Sequence, residues 1–276
     1  MVASVGHANS HTIRVAVIDT GFDFKSTWSP IIDLHPFLRK PKLCDTGHAD
    51  FSGTDTIEDQ HGHGTHIAGI IAQYANNTDY CLVILKFFNP SEDSNNLKNE
   101  ILAINEAVRL KVDIINLSGG GTEYSKEECW AVKSALDKGI TFVSAAGNER
   151  SDINLHPYYP AMCDMDVKAV ANITLRNTYS PSSNYTNDKI NSRFLFKEKG
   201  ENVLSILPGN TIGYMTGTSQ STAIRTGKIV KNWIEHKNNM VLYRKLNSIK
   251  RRKYNERFKS QGIGRNYQKR NGNRQF

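Results

Sequence analysis

Apolar residues fall into short runs separated by polar, glycine-containing stretches, and the runs alternate between two periods. Val15-Ala16-Val17-Ile18 is apolar and mostly β-branched before it meets Asp19-Thr20-Gly21, the pattern of a strand buried on both faces that delivers a carboxylate at its C-terminal edge. His63-Gly64-Thr65-His66 opens, after Gly62, an apolar helix running to Ala72. Cys81 to Phe88 is a second buried strand, and Leu97, Ile101, Ile104 and Val108 mark a helix over 97–110. A strand over 112–118 follows, then a helix over 125–138 stopped by Gly139, then a strand over 140–145 that runs into Ala146-Gly147-Asn148. Two more short strands are predicted near 166–171 and 202–206. The stretches 28–53 and 177–199 read as irregular surface loops. Strands alternating with helices of this length predict an α/β fold, a doubly wound, mostly parallel sheet flanked by helices. In such sheets the C-terminal strand ends hold the site, which is where Asp19 falls.

The turn Gly217-Thr218-Ser219 runs directly into an amphipathic stretch from Ala223 to Ile234. A serine there has an exposed hydroxyl and a backbone N–H at the positive end of a helix, where an oxyanion can be held. Read alone, Ser219 is as well explained as a helix cap, Asp19 as a loop cap, His63 as a helix-start histidine and Asn148 as a left-handed turn residue. Together they supply a nucleophile, a base whose pKa suits neutral pH, a carboxylate to hold the base's tautomer, and an oxyanion donor.

Four motifs in one order, Val17-Ile18-Asp19-Thr20-Gly21, His63-Gly64-Thr65-His66-Ile67-Ala68-Gly69, Ala145-Ala146-Gly147-Asn148 and Gly217-Thr218-Ser219, resemble the subtilisin-like serine endopeptidases. The resemblance runs from Ile13 to Ile234. It implies a subtilisin-like three-layer fold, a catalytic triad of Asp19, His63 and Ser219, and Asn148 in the oxyanion hole. It further implies that Ser118, Gly119 and Gly120 border an edge that pairs with a polypeptide substrate as an added strand, and that Glu149 lies near the S1 pocket. There Glu149 either favours basic side chains or is a solvated loop carboxylate. The chemistry needs no cofactor.

Several positions depart from the family pattern. The loop from Tyr74 to Tyr80 is short where many relatives hold calcium, and Asp50 alone remains of the expected ligands, so that site is expected to be absent and stability indifferent to EDTA. His61, His63 and His66 have no carboxylate at the helical spacing of a zinc protease, so no metal is expected. Arg225, Lys228 and Lys231 interrupt a helix that is mostly apolar in the family, which leaves Ala223, Gly227, Val230, Trp233 and Ile234 as the inner stripe and one face exposed. A different class of reading follows from that altered helix, a catalytically silent scaffold, but the intact Asp, His and Ser argue against it.

Charge changes the picture at one end only. The 276 residues carry a net charge of +8, yet from Arg225 to Phe276 there are 16 Lys and Arg against 2 Asp and Glu, leaving 19 against 25 in the preceding 224. Residues 1–12 are read as a short extension too small for an inhibitory prodomain, 13–236 as the peptidase domain and 237–276 as a basic C-terminal segment. That segment, with Tyr254, Phe258, Tyr267 and Phe276 among its charges, reads as a solvated tail or as a site for a polyanion or acidic partner. The widely spaced Cys44, Cys81, Cys129 and Cys163 fit no metal pattern and read as reduced thiols. No apolar leader or membrane-length segment is present, so a cytoplasmic location is expected, or a secreted one if a precursor segment is removed.

Overall fold

The computed structural model describes residues 11–76, 78–90, 95–188, 194–233 and 235–237. The chain divides after Lys231 into two compact units, and of the second only 232, 233 and 235–237 are described. Ile234 and the basic segment beyond Lys237 therefore lie outside the described residues.

Seven parallel strands form the main sheet. They are β1 (Ile13–Asp19), β2 (Ala49–Asp50), β3 (Tyr80–Lys86), β4 (Ile114–Leu117), β5 (Thr141–Ala145), β6 (Lys168–Asn172) and β7 (Leu195–Glu198), in the spatial order β2-β3-β1-β4-β5-β6-β7. Strands β4 and β5 are buried along their whole length and β1 and β3 nearly so, which is why each reads as a continuous apolar run. The chain builds outward from β1 on one side, then returns to lay β4 on the other. The crevice beyond the ends of β1 and β4 is thus the switch point of the sheet.

Helices cover both faces. α3 (Asn96–Arg109) and α4 (Lys126–Asp137) close one, their Ala103, Ile104, Ala107, Val132 and Leu136 joining Ile18, Leu85, Ile115 and Phe142 of the sheet in one core cluster. On the other, α2 (His63–Ala75) and α5 (Thr218–Lys231) pack closely at Gly227, where a Cβ would lie 2.6 Å from Tyr74 Cβ and 2.8 Å from the Ile71 carbonyl oxygen. The expected doubly wound, three-layer α/β fold is the one observed.

The differences lie where pairing, not periodicity, makes the element. The stretch read as loop over 177–199 contains β7, whose Leu195 to Glu198 pair with Ala169 to Asn172 of β6. The strand expected near 202–206 forms, as β8 (Val203–Leu207), but it pairs antiparallel with β9 (Thr211–Met215) in a separate hairpin. The irregular stretch 28–53 includes a six-residue helix, α1 (Ser29–Leu34), and the two-residue β2.

The cysteines are also corrected. They form two disulfides, Cys44–Cys81 and Cys129–Cys163, and none is free. The segment carrying Cys44 is bonded to the start of β3, since the Cys44 N–H donates to the Leu82 carbonyl oxygen at 3.0 Å, which brings Cys44 and Cys81 within 4.9 Å between Cα atoms. Wide sequence spacing concealed a register that only the fold supplies.

Candidate active site

Asp19 closes β1 at the switch point with only 3% of its surface exposed. Its Oδ1 accepts the Thr20 N–H at 2.8 Å and faces His63 Nδ1 at 2.7 Å. A carboxylate there requires Nδ1 to be the protonated nitrogen, which leaves Nε2 as the lone-pair nitrogen. His63 is the first residue of α2, and its neighbour Gly64 allows the helix to start hard against β1. A Cβ on Gly64 would strike the Gly21 carbonyl oxygen and lie 3.2 Å from Asp19 Oδ1. Burial pulls the His63 pKa down, but the Asp19 charge and hydrogen bond, with Asp59 behind them, outweigh it and raise the value above 6.5.

Asp59 is the positioning residue to which sequence reasoning gave no role. Its Oδ1 accepts the Thr20 hydroxyl at 2.9 Å and the N–H groups of His61 and Gly62 at 3.0 and 2.7 Å, and its Oδ2 accepts both donors of Thr65. Thr20 in turn accepts the Gly64 N–H at 2.8 Å. One buried carboxylate thereby locks the loop into α2 against the end of β1. The available signal was its place four residues before His63, at the entry to the helix.

Ser219 is the second residue of α5 and is half-buried. Its Oγ donates to the Ser118 carbonyl oxygen at 2.8 Å, and Ser118 Oγ donates back to the Ser219 carbonyl oxygen at 3.1 Å. Asn116 Nδ2 holds Ser118 Oγ at 3.0 Å, and the Thr226 hydroxyl holds Asn116 Oδ1 at 2.7 Å, so β4 and α5 are stitched beneath the nucleophile candidate. Asn148 follows β5 and is exposed. Its Oδ1 accepts from the Thr218 N–H at 3.0 Å and the Thr218 hydroxyl at 3.2 Å. A backbone N–H can only donate, so the atom facing it is the oxygen, and the amide NH2 is presented as donor.

The remaining expected site residues separate. Gly119 and Gly120 follow Ser118 along the cleft, but the backbone of Gly121 is already paired with Tyr159, both hydrogen bonds being 2.8 Å. Glu149 is exposed, and its Oε2 accepts Asn184 Nδ2 at 2.6 Å. His66 is buried, its Nε2 lies 3.1 Å from the Gly213 carbonyl oxygen, and burial pushes its pKa down to about 4. Among the described residues no group of three or more His, Cys, Asp or Glu could hold a metal ion. Asp50 spends both oxygens on its own turn, accepting from Ser52, Thr54 and Thr56, while the Lys86 ammonium donates to the carbonyl oxygens of Thr56 and Glu58 at 3.0 Å each.

Two of the three cations of α5, Arg225 and Lys228, meet a counter-charge. Arg225 Nη1 lies 3.6 Å and Lys228 Nζ 2.5 Å from the carboxylate of Glu198, which ends β7. Arg225 also stacks on Phe196, 4.1 Å from the ring centre. The face of this helix expected to be exposed therefore meets β7 at Arg225 and Lys228.

The model of the Subtilase family (Peptidase S8) matches residues 10–264. The chain belongs to the subtilase family of serine proteases. The match runs on past Ile234, into the basic segment. This subtilase is 34% identical over 228 residues to the major intracellular serine protease of Bacillus subtilis (strain 168), covering 79% of this chain and 67% of that protein. It is 29% identical over 232 residues to subtilisin-like protease 2 of Plasmodium falciparum, covering 78% of this chain but 16% of that protein. In structure it is similar to a cold adapted subtilisin-like serine proteinase, with a TM-score of 0.65 at 23% identity over 81% of this chain and 76% of that one, which establishes the shared fold. The family acts by an Asp-His-Ser triad, and among the described residues no helix is long and apolar enough to cross a membrane.

Proposed function

We propose that Asp19, His63 and Ser219 are the triad with which this subtilase cleaves polypeptides, and that Asn148 and the Ser219 N–H bind the oxyanion. The 2.7 Å contact between His63 Nδ1 and Asp19 Oδ1 carries the reading, because it aims the other ring nitrogen away from the carboxylate and fixes its tautomer. Rotation of the Ser219 hydroxyl from the Ser118 carbonyl towards Nε2 completes the line, and apo hydrogen bonds of this kind commonly form only with substrate. Ser219 Oγ attacks the carbonyl carbon as its proton passes to His63 Nε2. The C=O electron pair moves to an oxyanion facing the Asn148 amide. The intermediate collapses, the C–N bond breaks, and His63 gives its proton to the leaving amine. Water, deprotonated by His63, then attacks the acyl-enzyme and releases the acid with Ser219 restored. Casein hydrolysis by the purified chain tests this: it should occur with the native protein and vanish in Ser219→Ala and His63→Ala, and equal hydrolysis by either variant would refute the assignment.

The two disulfides favour an oxidising compartment over the cytoplasm, although two relatives are named as intracellular. For the basic segment we propose a polyanion or acidic partner on its charge alone, so binding to RNA or heparin should fall steeply with salt and disappear on deletion after Lys250.

A further inference from the structure

Two loops flank the proposed nucleophile. One leaves β4 through Ser118 and Gly120, the other leaves β5 through Gly147 to Asn148. The side chain of the residue whose carbonyl is attacked has to enter between them, since Ser118 touches Ser219 and Asn148 faces the oxyanion. That space is occupied. A Cβ on Gly120 would lie 2.8 Å from Tyr158 Cε1, and one on Gly147 would lie 2.7 Å from Tyr158 Cδ2. Those two ring carbons are on opposite sides of the phenol, so the ring bridges the gap and touches both glycine backbones. Tyr158 is 8% exposed.

The ring is held in place. Tyr159, next to it, pairs with Gly121 through both backbone hydrogen bonds, which ties the Tyr158 segment to the same loop it packs against. Glu149 Oε2 and Asn184 Nδ2, bonded to each other, close on the same face of Gly147 as the ring, each within 2.4 Å of where its Cβ would stand. Burial pushes the Tyr158 hydroxyl's pKa up, with the carboxyl groups of Glu149, Glu100 and Glu128 adding to the effect.

We infer that Tyr158 is a specificity-determining residue that fills the pocket for the side chain at the attacked carbonyl and restricts this subtilase to small residues there, glycine, alanine or serine. The inference rests on the triad reading above. It takes away the role of Glu149 as a selector of basic side chains, because the space such a chain would cross to reach it is filled by the ring. Neither Phe nor Lys fits without moving Tyr158, and each glycine wall is a backbone that cannot retreat like a flexible side chain.

The test is a set of peptide p-nitroanilides identical except for Ala, Phe or Lys at the attacked residue, run on the native chain and on Tyr158→Gly, with fluorophosphonate labelling of each protein alongside. The native chain should favour Ala over Phe and Lys in kcat/KM by roughly tenfold or more, the scale on which a filled pocket discriminates. Tyr158→Gly should lose that preference while still taking label. A labelled native chain that cleaves the Phe or Lys substrate as well as the Ala one overturns the inference and leaves the triad reading intact. So does a labelled Tyr158→Gly with unchanged preference. If Tyr158→Gly does not fold, Tyr158→Leu should shift the preference in the same direction by less, and no shift would count against the inference. A native chain that takes no label removes the triad reading and this one with it.

Discussion

Asp19 and His63 are held by donors and acceptors drawn from two stretches of chain, 19–23 and 59–65, whereas Ser219 is held from four: Asn116 on β4 with Ser118 just after it, Asn148 after β5, Thr226 on α5, and, through Ser221 Oγ, the Glu198 carbonyl oxygen on β7. The first arrangement is local and dense, a buried carboxylate that satisfies a loop of backbone N–H groups. The second is distributed, so that its geometry depends on the β4 to β7 half of the sheet being assembled. A local network can be recognised as a motif. A distributed one leaves only its contact residues visible and hides what holds them.

Substitutions should separate the two sides by size of effect. Ser219→Ala or His63→Ala should each reduce kcat by about 10⁶-fold, the magnitude known for subtilisin, whereas Asp59→Asn should cost on the order of 10²-fold by loosening the His63 loop without removing a reacting group. Steady-state kinetics on one peptide substrate checks both, and an Asp59→Asn chain as dead as Ser219→Ala would mean that the two networks are not separable.

Reduction is expected to act through stability. Each disulfide closes a loop across a sequence separation of 37 or 34 residues, and its loss should cost about 3–4 kcal/mol. Unfolding followed in denaturant with and without reductant measures it. Cys44–Cys81 bears on the Asp19 side, since Cys81 pairs with Arg14 in the β1–β3 register, so Cys44→Ala with Cys81→Ala should weaken that side alone.

A smaller effect belongs to the distributed side. Glu198→Gln leaves Arg225 and Lys228 without their counter-charge, Arg225 having 30% of its side chain exposed, and should destabilise by roughly 1–3 kcal/mol. Thermal unfolding reads it. Lys228→Met should lose less, because Lys228 is 45% exposed and water compensates for it.

The smallest effect is a displacement along the pH axis. His63 works as a base only when deprotonated, and its pKa is raised, so kcat/KM should rise from acid to neutral pH with a midpoint above 6.5. Asp59→Asn removes one of the charges that raise it and should move the midpoint down, while Glu198→Gln, whose carboxylate is not among the influences on His63, should leave it in place.

What could be read from the chain follows the same division. The apolar runs at β1, β3, β4 and β5 are legible because a strand buried on both faces tolerates little else, and Asp19, His63, Asn148 and Ser219 stand out as candidates because the proposed chemistry admits few side chains at those turns. β7 was not legible: Leu195-Phe196-Lys197-Glu198 alternates too weakly to stand out, and it becomes a strand only by pairing with β6. For the same reason Arg225 and Lys228 of α5 read as part of an exposed face until Glu198 is found beside them. The disulfides were hidden because cysteine spacing says nothing of register. Tyr158 was hidden because an aromatic residue in a loop carries no sign of which gap it fills.

The central claim is that Asp19, His63 and Ser219 act as one unit, and the most direct measurement of it is fluorophosphonate labelling followed by identification of the modified residue. The account predicts that the label is found on Ser219 in the native chain, is absent in Ser219→Ala, and is lost or greatly slowed in His63→Ala. A label on another residue, or one on Ser219 that forms as fast without His63, would contradict it.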